Sequence, residues 1–391
     1  MSAPDGTVPT DPDAAVPAHR GDFLAEQRAM ARTAAVVDRS HRAVLAVPGD
    51  DRLGWLHLLL TQHVAGLPDG AATEALVLDG NGRVLHHAVL AHLDGTVWLD
   101  TEPPIPARGT ADGPALLDYL VKMRFWSKVE PRDASAERAV LSVVGPETAA
   151  VLERAGVPVP PDPPPASGAP AGGRVGGPGR TGASYGCAPL AGGGLVRRMP
   201  WPGSDAADLL VPRGEKDAWW HRLTDAGARP AGTLAFEALR VEALRPRLHV
   251  DTDDRTIPHE VGWIGSAVPL DKGCYRGQET VARVANLGRP PRRLVLLHLD
   301  AGDEELPVPG DPVLRDGRPV GSTGTVVLHH ELGPVALALV KRSVPVEAEL
   351  VAGAGDRAAP ARIDPDSVPP EDAAPPPGRA AQLRGGLRPG R

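Results

Sequence analysis

The chain has 391 residues, with 42 Lys plus Arg against 49 Asp plus Glu and a formal net charge of −7. That length suits two or three packed units, since single domains usually hold about 100–200 residues, and the acidic balance argues against direct nucleic-acid binding over the whole surface. Two cysteines, Cys187 and Cys274, are too few for a disulfide framework or a sulfur-rich zinc site, so a reducing cytoplasm is the expected compartment.

Residues 1–20 lack a basic start and an apolar run, so no signal peptide or anchor is expected there and the stretch reads as a disordered tail. No later stretch reaches the ~18 apolar residues of a spanning helix, so no membrane association is expected. The sequence AVLAVPG at 43–49 predicts a strand, and Leu53, Leu56, Leu60 and Val64 beyond it fall at helical spacing, with Asp50 or Asp51 as N-cap. The same strand, loop and helix pattern returns at 139–156 and at 207–223, which points to an internal structural repeat. Between the first two copies, Asn81-Gly82 and Asp94-Gly95 sit between strand-like runs and predict a three-stranded meander with type I′ turns. A helix is expected around 113–125. The Pro/Gly-rich run 157–183 reads as a surface insertion, and 184–289 resumes the same module with a further helix around 232–244. After Pro290 short strands with glycine turns predict a small β-barrel over 290–353, and 354–391 reads as a second disordered tail.

The segment LDKGCYRGQETVAR at 270–283 carries the most chemistry. Gly273 and Gly277 allow sharp turns on either side of Cys274, and QETVARVAN predicts a helix starting just beyond it. A helix N-terminus with Lys272 and Arg276 alongside favours the thiolate, although free cysteines are most often small buried apolar residues. Gln278 and Glu279 are ordinary first-turn residues by themselves.

Metal readings are weak. His86-His87 and His329-His330 are adjacent in predicted strands, where neighbouring side chains point to opposite faces. The stretch DTDD at 251–254 lacks the glycine and bidentate glutamate of a calcium loop and reads as a solvated turn. Trp201 and the Trp219-Trp220 pair suit either a ligand cleft or plain packing, and Cys187 reads as structural.

Lys272, Gly273, Cys274, Tyr275, Gly277, Gln278 and Glu279 together resemble the signature of the YgfZ-type folate-binding proteins, relatives of the aminomethyltransferase T-protein of the glycine cleavage system. The resemblance spans roughly residues 40–345 and includes RVEALRPRL at 240–248, TIPHEVGW at 256–263 and FWSKVEPRD at 125–133. It implies an α+β fold, a three-module ring around a central hole for tetrahydrofolate, with the C-terminal barrel as one module. It also implies an accessory role in iron–sulfur cluster assembly or repair, including the clusters of tRNA-modifying enzymes, with iron–sulfur proteins as partners. Cys274 and Lys272 are then the expected catalytic residues, and Arg276, Gln278, Glu279, Arg240, Phe236 and His41 the folate contacts, with no metal. The T-protein places a catalytic aspartate just after an Asn-Gly-Gly hairpin turn, where this chain runs Asn81, Gly82, Arg83, Val84, Leu85, His86, His87 without a carboxylate, and a pterin-gripping glutamate in a segment that here runs Pro202-Gly203-Ser204-Asp205-Ala206. Those departures disfavour aminomethyl transfer. A folate-dependent transferase using Asp205 or Glu260 as the acid, and a plain thiol oxidoreductase, are the alternatives.

Overall fold

The structure is a computed structural model that describes residues 13–103, 105, 112–160, 185–199, 201–202, 205–287, 289–301 and 305–368. Helix α1 (Phe23–Arg32) starts at Asp22, whose carboxylate accepts hydrogen bonds from the Leu24 and Ala25 amides. Strands β1 (Ala35–Asp38) and β2 (Ala43–Pro48) and helix α2 (Arg52–Leu59) follow. Asp51 stands at the N-cap of α2 without capping it, because its carboxylate accepts from the Lys128 amide at 2.7 Å instead.

The meander is β3 (Ala71–Leu78), β4 (Val84–Leu93) and β5 (Thr96–Thr101), antiparallel throughout. Asp94 and Gly95 both have positive φ, as a type I′ turn requires, but in the other hairpin only Gly82 does. There the Asp79 carboxylate accepts from the Asn81 and Arg83 amides, both at 2.8 Å, and a bulge shifts the register after Val77. Next come α3 (Asp112–Lys122), β6 (Arg132–Asp133), β7 (Arg138–Val144) and α4 (Thr148–Arg154). The 157–183 insertion lies outside the described residues beyond 160. Beyond it are β8 (Tyr185–Pro189), β9 (Leu195–Met199), β10 (Ala206–Pro212), α5 (Lys216–Asp225), β11 (Arg229–Ala231), α6 (Thr233–Glu242) and α7 (Gln278–Leu287).

All three strand–helix units anticipated from the repeat form, as β2–α2, β7–α4 and β10–α5. Their strands belong to one sheet with the order β11-β1-β7-β10-β9-β8-β3-β4-β5-β2-β6. Apolar side chains from α4 and α5 cover β7 and β10, among them Leu152, Trp219 and Leu223. Leu56, Leu116 and Leu120 from α2 and α3 do the same over β2 to β5. The outer faces are therefore apolar cores, and the charged side chains of the strands turn inward.

The α+β expectation with a small C-terminal barrel is met. Strands β12 (Arg292–Leu299), β13 (Pro312–Arg315), β14 (Arg318–His329), β15 (Gly333–Lys341), β16 (Leu350–Ala352) and β17 (Ala359–Ile363) close in the order β12-β15-β14-β13-β16-β17. The barrel does not stop at 353. β17 pairs with both β12 and β16, so closure requires residues previously assigned to the tail. Packing likewise reaches into the expected N-terminal tail, because Asp13 and Val16 are buried. The remainder of both tails lies outside the described residues. Among the described residues no helix is long and apolar enough to cross a membrane.

The barrel docks over an apolar core in which Leu294, Val327 and Leu337 meet Leu76, Val241 and Trp263, and polar contacts reinforce it. Arg292 of β12 forms two-pronged ion pairs with Asp253 and Glu260, and the Asp251 carboxylate accepts from the Thr325 amide of β14 at 2.6 Å. Gly324 makes that approach possible, since a Cβ there would lie 2.2 Å from Asp251 Oδ1. DTDD is thus a junction between the sheet and the barrel and not a solvated turn.

Candidate functional site

The inward faces of the strands meet at a lattice of buried charges. Arg42, just before β2, donates to Asp100 of β5 and to Glu102, both at 2.6 Å. Asp100 also pairs with Arg197 of β9, which binds Asp208 of β10 at 2.8 Å. Glu102 leads to Arg247 at 2.9 Å, and Arg247 to Glu237 of α6 at 3.1 Å. Arg240 binds Glu237 at 2.6 Å, Asp251 at 2.9 Å and the Thr325 hydroxyl at 2.5 Å. Glu74 of β3 pairs with Arg245 at 2.7 Å and with His87 Nε2 at 2.9 Å. Charges at this depth persist because each has an opposite partner and hydrogen bonds.

The electrostatics follow the pairing. Burial opposes ionisation of Glu74, but the Arg245 guanidinium and His87 outweigh it and hold the carboxyl well below its ordinary 4.5. Glu102 is held low in the same way by Arg247 and Arg42 against its burial. Burial together with neighbouring Arg42 brings Arg39 down to about 10.

One small cavity opens among these groups. Its volume is about 20 Å3, room for a single water, and Asp13, Arg39, His41, His87, Trp201 and Phe236 are among its walls. The Arg39 guanidinium stacks 4.1 Å above Phe236, and Arg245 stands 5.0 Å above the ring of Trp201. Trp263 supports His87 from behind, with ring centroids 5.2 Å apart. Chemically the cavity combines forked cations, aromatic faces and a histidine oriented by a buried carboxylate. Such a set suits a flat heteroaromatic ligand with acidic groups.

The anticipated site residues divide between two places. His41, Phe236 and Arg240 converge on this cavity, although Phe236 is already stacked by Arg39 and His41 Nε2 is 3.0 Å from Asp13. Cys274, Lys272, Arg276, Gln278 and Glu279 form a second locus on the loop ahead of α7. Cys274 is exposed, as are Arg276 and Glu279.

The Lys272 ammonium is engaged by backbone carbonyls. The residue is 1% exposed, and its ammonium donates to the carbonyl oxygens of His57, at 2.6 Å, and Leu60, where α2 ends. A lysine stem burying itself to neutralise a helix C-terminus satisfies acceptors that would otherwise be orphaned. Burial brings its pKa down to about 8. Lys272→Met is therefore expected to destabilise the fold by about 1–3 kcal/mol, because two buried carbonyls lose their donor. Chemical denaturation checks this, and an unchanged midpoint would contradict the strut.

Gln278 Nε2 donates to Lys272 O at 2.8 Å and closes the loop, while Tyr275 plugs into the core beside Trp263 and Val281. Only one of the two loop glycines uses its freedom: Gly277 has φ +83°, whereas Gly273 lies in open space without a positive φ. A Cβ on Gly277 would sit 2.6 Å from Asp79 O and 2.9 Å from Gly82 Cα, and one on Gly82 would meet Thr280 of α7 at 2.8 Å. The thiol loop is thus clamped onto the hairpin that leads into His86 and His87.

His86 and His87 do face opposite ways, His86 to Asp112 at 2.5 Å and His87 to Glu74. His329 and His330 do not: their rings lie 4.6 Å apart, because β14 ends at His329 and strand alternation ends with it. Among the described residues no cluster of three or more His, Cys, Asp or Glu is placed to hold a metal ion. Asp205 is bound by Arg198 at 2.7 Å and Glu260 by Arg292, and neither lines the cavity. Ser204 lies outside the described residues. Cys187 is buried, with its thiol pushed up to about 12 by burial, consistent with a structural role.

Arg39, Arg42, Glu102, Arg245, Arg247 and Asp13 are cavity residues that sequence reasoning missed. The available signal was charge inside apolar strands, as in TVWLDT and LVRRM, and three arginines within RVEALRPRL.

Residues 18–158 match the GCVT N-terminal domain. An aminomethyltransferase of Geobacillus kaustophilus is 30% identical over 353 residues, covering 84% of this chain and 85% of that protein. A chloroplastic Arabidopsis thaliana protein named as a transferase is 27% identical over 291 residues, 73% of this chain, which spans 60% of that protein's length. The crystal structure of the glycine cleavage system aminomethyltransferase T from Bartonella henselae has the same fold, with a TM-score of 0.70 at 20% identity over 90% of this chain and 91% of that one. With the Geobacillus relative matched along most of both lengths and the fold shared, the chain belongs to the aminomethyltransferase family.

Proposed function

We propose that the protein is a tetrahydrofolate-binding accessory protein of the YgfZ type, supporting the assembly or repair of iron–sulfur enzymes, with Cys274 as its functional thiol. The observation that carries this reading is the separation of two loci: an intact KGCYRGQE loop holding an exposed thiol, and a buried arginine-rich cavity whose hairpin has no carboxylate between Asn81 and His87. In the cavity, Arg245 and Arg247 suit the acidic groups of a folate, Trp201 and Phe236 its rings, and His87, fixed by Glu74, a ring or amine proton. The residues fit the group in kind. The volume of about 20 Å3 fits it only once something withdraws. When bound, tetrahydrofolate would supply a one-carbon acceptor or a reducing equivalent.

Aminomethyl transfer is the second reading, and the names of the relatives favour it. It lacks the aspartate after the hairpin, and the paired states of Asp205 and Glu260 leave neither as a replacement acid. The expected result in cells carrying Cys274→Ser is a several-fold loss of iron–sulfur enzyme activity with the protein level unchanged. Full activities there, together with methylenetetrahydrofolate formation from an aminomethyl donor in vitro, would replace this reading with the second.

A further inference from the structure

The first described residue, Asp13, enters the cavity. The Asp13 carboxylate accepts from both terminal nitrogens of Arg247, each at 3.0 Å, and lies 3.0 Å from His41 Nε2. A turn closed by Val16 N to Asp13 O at 3.0 Å shapes the tip, and Val16 is buried beneath it. The segment then hangs on the start of α6. Pro17 O and Ala18 O accept from the Thr233 and Leu234 amides at 3.1 and 3.0 Å, first-turn donors with no partner inside the helix. Gly232 permits the crossing, since a Cβ there would fall 2.3 Å from Ala18 O.

Beneath this strap the cavity is underfilled in hydrogen bonds. His41 Nδ1, Arg42 Nη2 and Trp201 Nε1 are buried and, among the described residues, have no hydrogen-bond partner. Each such orphan costs about 1–3 kcal/mol. Three of them around one small space, beside a carboxylate on a forked cation, describe a polar site larger than its present filling.

We infer that residues 13–18 form a latch in which Asp13 holds the place of a carboxylate on the incoming ligand. Binding then exchanges one carboxylate for another at Arg247 and His41. Arg247 stays neutralised by Glu102 and Glu237 during the exchange, so the latch opens without stranding a bare cation. A ligand without an anionic group gains nothing at that position. The latch lowers apparent affinity by the fraction of time it is shut. The inference rests on the folate reading only for the identity of the ligand.

Two measurements on the full chain and its Asp13→Ala and Asp13→Asn variants test it. Without ligand, the Thr233 and Leu234 amides are expected to exchange with solvent at least about tenfold faster in both variants, because the tip has lost its anchor. Tetrahydrofolate is expected to bind Asp13→Ala at least about tenfold more tightly than the unaltered chain, with Asp13→Asn intermediate. Unaltered exchange overturns the latch whatever folate does. Faster exchange with equal or weaker folate affinity overturns Asp13 as a competitor. Faster exchange with no folate binding to any of the three chains supports the latch and removes the folate reading.

Discussion

Arg240→Met is expected to lower stability by about 3–5 kcal/mol, the range for removing one partner from a buried ion pair. Arg240 is 2% exposed and serves four partners, Glu237, Asp251, the Arg245 carbonyl and the Thr325 hydroxyl. Methionine fills similar space but leaves carboxylates in a setting where burial disfavours their charge. Because Asp251 and Thr325 tie α6 to β14, docking of the barrel should weaken along with global stability. Urea unfolding followed by tryptophan fluorescence measures both. Arg240→Lys, which keeps the charge but loses the fork, should fall between the two chains. A loss below about 1 kcal/mol for the methionine variant would mean that the lattice contributes little to the fold.

Gly277→Ala is expected to cost about 3 kcal/mol or more, through two effects that add. A left-handed conformation costs a non-glycine residue about 1–2 kcal/mol. The new Cβ would also press on the backbone at Asp79 and Gly82, where no side-chain rotation relieves it. The companion substitution Gly273→Ala, four residues away in an open position, should change stability by no more than about 0.5 kcal/mol. Thermal unfolding of the pair separates a requirement for backbone packing from a general intolerance of the thiol loop. Equal effects would contradict the clamp between the loop and the hairpin.

Local patterns made much of this architecture legible. Turn dipeptides located the meander, the helical spacing of Leu53, Leu56 and Leu60 located α2, and the change of texture after Pro290 located the barrel. Its closing strand β17 escaped because APARI is short and sits among Pro, Gly and Ala, so only the pairing with β12 and β16 reveals it. The functional locus was legible where chemistry is contiguous, as in KGCYRGQE, and illegible where it is assembled at long range. Arg42 meets Asp100 across 58 positions, Arg247 meets Glu102 across 145, and Arg247 meets Asp13 across 234. Lys272 shows another limit: nothing in its neighbouring sequence announced that its buried ammonium would donate to the end of α2. Asp13 stood in a Pro-rich stretch whose composition signals poor packing, and the Asp13–Arg247 pair together with the Pro17 and Ala18 hydrogen bonds to α6 overrides that tendency.

Calorimetric titration with tetrahydrofolate, run on the unaltered chain and on Cys274→Ser, probes the ligand site most directly. Buried arginines and aromatic rings, remote in bonding from the sulfur, should give one saturable site per chain with the same affinity in both proteins. Heats that never saturate, or saturation that vanishes when the sulfur is replaced, would contradict the assignment of the cavity.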